Sequence, residues 1–246
     1  MTVAKPAIVL VPGAWHVARH YQLLTSRLEA AGYEVHALDL PSTEDATIPD
    51  AWKEDIKLIS RTVEQLADEG RDVLLVLHSR GGLAGSDAAE GMSTTDRAKQ
   101  GKQGGIVGIV YICAFASPEG HSIDQAVQGK HTNMEIDGTR CRPVKVHDNF
   151  YTDLSADVAQ EQAKHLREMH VTFFHHRVKY AAWKHIPSTY LFCENDKALP
   201  PGGQEAMIAQ PGANFTVERC GASHSPFLSM PDFTAEVVRR AAGEQV

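Results

Sequence analysis

Cysteine is scarce in this chain, with four residues in 246: Cys113, Cys141, Cys193 and Cys220. They lie far apart and form no Cys-x-x-Cys pair, which argues against a disulfide framework and a zinc site. Cys113 and Cys193 fall inside apolar, strand-like runs, the usual setting of buried free thiols. No stretch approaches the ~18 apolar residues of a membrane span. The start, Met1-Thr-Val-Ala-Lys-Pro6, has no basic segment followed by an apolar one. A soluble, cytoplasmic protein with no membrane partner is expected. Dense basic clusters are missing as well: 24 lysines and arginines face 31 acids, and the net charge of -7 is spread along the chain. No nucleic-acid partner is expected. The 13 histidines show no paired ligand spacing, and the adjacent His175 and His176 point apart on any regular element. Neither a metal nor a cofactor is expected.

What the chain does have is alternation. Short aliphatic runs at Ala7–Val11, Glu34–Asp39, Val73–Leu77, Ile106–Ile112, Thr189–Cys193 and Phe215–Glu218 alternate with amphipathic stretches. Helices are predicted at His20–Ala31, Trp52–Glu69, Gly81–Ala89, Gly203–Gln210 and Pro231–Ala242, with Gly32 and Gly70 as left-handed caps on the first two. This pattern predicts an α/β fold with a mostly parallel central sheet flanked by helices. From Ala114 to about His185 no convincing core strand occurs, while Tyr151–Met169 has helical patterning. A structureless loop of that length is rare. The segment is therefore expected to be a helical cap inserted after the fourth strand, within one domain spanning residues 1–246.

One local string carries chemistry. In Val73-Leu-Leu-Val-Leu-His-Ser79-Arg-Gly-Gly82 an apolar strand breaks at serine and a glycine pair opens a helix, the setting of a nucleophile elbow. Leu77 stands where the G-x-S-x-G pattern has glycine, and a helix N-cap is the plainer role for Ser79. A serine nucleophile needs a histidine to take its proton and an acid to orient that histidine, and such sheets order them serine, acid, histidine. Asp196 lies just past one predicted strand and His224 in a small-residue loop after the last. Glu194 and Asp153 are the alternative acids. The amides of Ala14 and Arg80 are the candidate oxyanion donors. Trp15 and His16 are expected to face the pocket and bind substrate. The Arg80 side chain is expected to pair with a nearby acid such as Asp87 rather than grip a substrate carboxylate, because an unpaired buried charge is costly.

The strings VPGAWH, LHSRGG, FYTDL, YAAWKHIPSTYLFCENDKALPP and GASHSPFLSMPD resemble a fungal and bacterial branch of the α/β-hydrolase superfamily, near the plant methylesterases and hydroxynitrile lyases. The resemblance covers nearly the whole chain. It implies the α/β-hydrolase fold, Ser79, Asp196 and His224 as catalytic residues, Ala14 and Arg80 as the oxyanion hole, and no cofactor. Pro12 departs from the histidine usual before Gly13, which is expected to touch only supporting hydrogen bonds. The implied reaction is hydrolysis of a small, fairly apolar ester or lactone, with a place in secondary metabolism by analogy and a monomer or homodimer as the assembly. Two other readings stay open. A lyase would use the same residues for proton transfer, with Lys197 as the obvious polarising lysine. A binding protein would keep the pocket without turnover.

Overall fold

In the computed structural model, residues 4–129 and 132–246 are described. Their strands are β1 (Ala7–Val11), β2 (Val35–Ala37), β3 (Asp72–His78), β4 (Gly105–Ile112), β5 (Met134–Asp137), β6 (Arg140–Pro143), β7 (Met169–His170), β8 (Ser188–Cys193) and β9 (Phe215–Cys220). The α-helices are α1 (Gln22–Ala30), α2 (Pro41–Glu44), α3 (Trp52–Asp68), α4 (Gly81–Ala88), α5 (Thr94–Lys99), α6 (Ile123–Ala126), α7 (Val146–Phe150), α8 (Ala156–Ala163), α9 (Pro201–Ile208), α10 (Pro226–Ser229) and α11 (Pro231–Ala241). Six strands form one sheet in the order β2-β1-β3-β4-β8-β9, with every pairing parallel.

A parallel sheet is covered on both faces, so its strands read as continuous apolar runs. All five residues of β1 are buried, as are all six of β8. One face packs Ile8, Leu10, Val76 and Val110 against α1 and α11; the other packs Val9, Leu75 and Tyr111 with Ile59 and Val63 of α3. The register sets Val11 beside Leu77, His78 beside Ile112 and Cys193 beside Cys220. The strands thus end at one level, and their following loops gather along the C-terminal edge, where open α/β sheets place their ligands.

Gly32 and Gly70 close α1 and α3 with φ of 84° and 79°. Some boundaries differ from expectation. The helix predicted from His20 opens as a 3-10 turn, Ala18–Tyr21, in which the His20 ring accepts the Val17 amide at 3.0 Å, and α1 starts only at Gln22. Helix α9 starts at Pro201 rather than Gly203, because proline's fixed φ suits the first helical turn. Helix α5 was not predicted; Ser93 caps it, accepting the Asp96 amide at 3.0 Å.

The stretch between β4 and β8 corrects the picture of a helical cap. It contains a three-stranded antiparallel sheet, β5-β6-β7, beside the short helices α6, α7 and α8. Helix covers only Ala156–Ala163 of the predicted Tyr151–Met169. The β5-β6 hairpin is mostly exposed, with Glu135 paired to Arg142. Two four-residue alternating runs, Met134–Asp137 and Arg140–Pro143, meet around Asp137-Gly138, a hairpin signal too short and exposed to read as a core strand. This stretch is moored to the sheet layer by Asp87 of α4. Its carboxylate accepts from His176 Nε2 at 2.8 Å and from the amides of Lys179 and Tyr180 at 2.7 and 3.0 Å. Trp52 of α3 stacks on the His176 ring at 4.1 Å.

Candidate active site

Ser79 follows β3 directly and adopts φ of 50°, a left-handed conformation that is strained for a residue with a side chain. Its neighbours hold it there: the Ser79 amide donates to Ile112 O at 3.2 Å, and its carbonyl accepts from Phe115 N at 3.0 Å. The turn is tight enough to require the glycine pair. A Cβ on Gly81 would lie 2.7 Å from Pro12 O, and one on Gly82 would lie 2.4 Å from Phe115 O. The departure at Leu77 is absorbed one turn along α4, where a Cβ on Gly85 would meet Leu77 Cδ2 at 2.3 Å. Gly85 makes room for the leucine that replaces the expected glycine.

The Ser79 hydroxyl donates to His224 Nε2 at 2.9 Å, and His224 Nδ1–H donates to Asp196 Oδ2 at 2.6 Å. All three residues are buried. The other oxygen of Asp196 accepts the amides of Ala198 and Leu199, each at 2.8 Å, so the carboxylate cannot swing away from the histidine. Gln204 clamps this loop to its strand, accepting from Cys193 N at 3.0 Å and donating to Cys193 O at 3.0 Å and Leu199 O at 2.8 Å. The alternative acids lie elsewhere. Glu194 is exposed, and Asp153 accepts the Ser223 amide at 2.8 Å, steadying the His224 loop from outside.

Ala14 and Arg80 line the same chamber as Ser79 and His224. Among the described residues their amides make no hydrogen bond, whereas the flanking amides are taken: Gly13 N donates to Tyr21 Oη at 3.0 Å and Trp15 N to Met169 Sδ at 3.1 Å. Trp15 reaches φ of 64° to make this bend. Two free donors beside a serine are what an oxyanion requires.

Trp15 lines the chamber with Phe115, Phe150, Phe173 and Phe174. His16 does not. Its Nδ1–H donates back to Ala14 O at 2.8 Å and its Nε2 accepts from Tyr151 Oη at 3.1 Å, so it braces the bend from behind. Burial holds the His16 imidazole well below its ordinary pKa, with His20 adding to the effect, and this neutral ring suits the acceptor role.

The Arg80 side chain pairs with an acid, as expected, but not with Asp87, which is committed to His176. Its partner is Asp55 of α3, whose carboxylate also accepts from Ser42 N at 2.9 Å and Ser42 Oγ at 2.6 Å. Both ions are buried, so the guanidinium brings no uncompensated charge to the chamber. Its face lies 5.1 Å from the Phe173 ring centre. Lys197 is exposed and does not line the chamber.

Two residues that the sequence reading passed over join the site. His78 Nε2–H donates to His224 O at 3.0 Å, and His78 Nδ1 accepts from Tyr21 Oη at 2.7 Å, while Tyr21 Oη itself accepts from Gly13 N. A relay of hydrogen bonds thus runs from the Gly13–Trp15 bend to the backbone of His224. It is consistent in its protons: burial pushes the Tyr21 phenol well up and the His78 imidazole well down, leaving both neutral. His78, Cys113 and His224 also bring three metal-ligand atoms within 4.8 Å of one another. Each already has a protein partner, however, and burial lifts the Cys113 thiol to about 12.

Residues 8–237 match the alpha/beta hydrolase family. The chain belongs to this family. It is 36% identical over 249 residues to an alpha/beta hydrolase, nvfD, of Aspergillus novofumigatus, covering 98% of each chain. It is 24% identical over 253 residues to Methylesterase 7 of Arabidopsis thaliana, covering 91% of each. Among solved structures, a pyrethroid hydrolase from Sphingobium faniae JZ-2 superposes with a TM-score of 0.77 at 21% identity, over 98% of both chains. The protein is therefore an α/β hydrolase, and the six-stranded sheet described above is that family's core. No helix among its described residues is long and apolar enough to cross a membrane.

Proposed function

We propose that this hydrolase cleaves a carboxylic ester or lactone through an acyl-enzyme on Ser79. Ser79 Oγ attacks the carbonyl carbon as its proton passes to His224 Nε2, and Asp196 stabilises the imidazolium. The amides of Ala14 and Arg80 hold the oxyanion. Collapse breaks the ester C–O bond, and His224 gives its proton to the leaving alkoxide. A water then attacks the acyl carbon with His224 as base, releasing the acid and restoring Ser79.

The observation that carries this reading is the buried line Ser79–His224–Asp196, at 2.9 and 2.6 Å, with the serine held at φ of 50°. The chamber supports an uncharged substrate, since its walls are aromatic and its one guanidinium is neutralised by Asp55. The names of the relatives, a methylesterase and a pyrethroid hydrolase, agree with ester chemistry. Stopped-flow turnover of p-nitrophenyl acetate tests it. Wild type gives a p-nitrophenol burst of about one equivalent or a steady rate, and Ser79→Ala gives neither. Equal rates in the two proteins would refute it.

A further inference from the structure

The chamber at Ser79 has a volume of about 70 Å³. Sites that enclose a whole small molecule span roughly 300–1,000 Å³. A chamber this size takes the reacting carbonyl and a substituent of roughly one or two carbons, with no space for a larger body. The remainder of any sizeable substrate needs another place.

Such a place adjoins it. A cavity of about 550 Å³ lies between α6 and α9. It shares four wall residues with the chamber: Phe115, Val127, Thr132 and Ala198. The rest of its wall is largely apolar, including Pro118, Ala126, Leu199, Pro200, Ala206 and Met207. The polar groups around it are mostly committed. Gln210 Nε2 donates to Ala116 O at 2.7 Å and Met207 O at 2.8 Å, and Ser117 O accepts from Trp183 Nε1 at 3.1 Å. Lys197 and His121, both exposed, stand at its edge.

We propose that the α6/α9 cavity is the compartment for the body of the substrate. The substrate class that follows is bipartite: a small group on one side of the ester, seated at Ser79, and an uncharged, extended, predominantly apolar scaffold on the other, seated between α6 and α9. An ionised scaffold is disfavoured because most of the wall offers it no partner. This inference rests on the ester reading for its account of the small group, but the cavity's occupancy is separable from turnover.

The test fills the cavity from either wall, with Ala206→Trp on α9 and Ala126→Trp on α6. Both alanines are exposed helix residues outside the chamber, and far-UV circular dichroism with methyl acetate turnover reports whether each variant is folded. The probes are 1-pyrenylmethyl acetate and methyl 1-pyreneacetate, which put the large group on the alcohol and acyl side respectively. The expected result is a loss of at least tenfold in kcat/KM for the pyrene ester that wild type cleaves, carried by KM. Turnover of methyl acetate, whose two methyl groups fit the chamber, stays within about twofold. Parallel loss on large and small esters, or no loss on either, overturns the proposal. In Ser79→Ala, fluorescence titration with the same esters gives the binding directly. Saturable binding that weakens at least tenfold on adding Ala206→Trp supports the compartment even if wild type cleaves no ester, in which case only the reaction assignment fails. Absence of saturable binding in Ser79→Ala overturns the compartment even if p-nitrophenyl acetate is cleaved.

Discussion

Among the described residues, two buried histidine–aspartate pairs stand out, and they differ in what surrounds them. At the C-terminal edge of the sheet, His224 meets Asp196 at 2.6 Å and offers its other nitrogen to Ser79. Under the excursion between β4 and β8, His176 meets Asp87 at 2.8 Å, but its ring is stacked against Trp52, and among the described residues no serine or threonine hydroxyl is hydrogen-bonded to the ring. Asp87 spends its second oxygen on the Lys179 and Tyr180 amides, fixing chain; Asp196 spends its own on Ala198 and Leu199, fixing itself. On the proposed mechanism the same two side chains serve as a reaction centre in one place and as a mooring in the other. The adjoining serine hydroxyl, the free amides and the chamber make the difference.

Breaking each pair should therefore cost different things. Ser79→Ala or His224→Ala should lower kcat by about 10⁴- to 10⁶-fold, and Asp196→Asn by about 10⁴-fold. Urea unfolding of Asp196→Asn should move by no more than about 1 kcal/mol. Asp87→Ala should reverse that balance. It leaves three donors from residues 176–180 without their acceptor, at roughly 2–4 kcal/mol of stability, while kcat/KM per folded molecule stays within about tenfold. If Asp87→Ala kept its stability and lost its rate, the distinction between the two pairs would collapse.

Smaller effects sharpen the reaction side. Tyr21→Phe removes the hydroxyl between Gly13 and His78, so it should loosen the oxyanion bend and cost about 1–2 kcal/mol of barrier height. The readout is a roughly tenfold fall in kcat with KM unchanged, and a matching loss of affinity for a trifluoromethyl ketone. The pH dependence of stability reads the histidines behind the site. Burial lowers the folded pKa of His16, His78 and His20 below 6.5. The unfolded chain thus binds more protons as pH falls. The stability these neutral rings contribute is complete above the unfolded value of about 6.5 and declines below it, by up to about 1.4 kcal/mol per pH unit for each ring. Urea midpoints measured from pH 7.5 to 5.0 should drop, and His78→Asn should flatten the slope.

The central sheet was legible in the sequence because its four inner strands, β1, β3, β4 and β8, are buried on both faces, leaving uninterrupted apolar runs such as Val73–Leu77. Ser79, Asp196 and His224 were legible as a group because each follows a strand in the chain order such sheets impose. The β5-β6 hairpin did leave a trace, since Met134–Asp137 and Arg140–Pro143 alternate around Asp137-Gly138, but each run is only four residues long and mostly exposed, so it does not stand out as a core strand. The partner of Arg80 could not be read either: Asp55 sits in the first turn of α3, where an acid of an amphipathic helix reads as solvated, and only packing buries it against the elbow. His16 was misplaced for a related reason. Neighbouring residues in a bend point in different directions, and the left-handed turn at Trp15 sends the next side chain behind the chamber. Tyr21 and His78 look like ordinary core in the linear chain; only the fold shows that they join the Gly13–Trp15 bend to His224.

The most direct test of the account is covalent. Wild-type protein and Ser79→Ala are each incubated with a small serine-reactive fluorophosphonate, and their intact masses are measured. The account predicts a single adduct on wild type, mapped to the peptide containing Ser79, and none on the variant. A folded wild-type protein that stays unlabelled, or a variant labelled to the same extent, would contradict it.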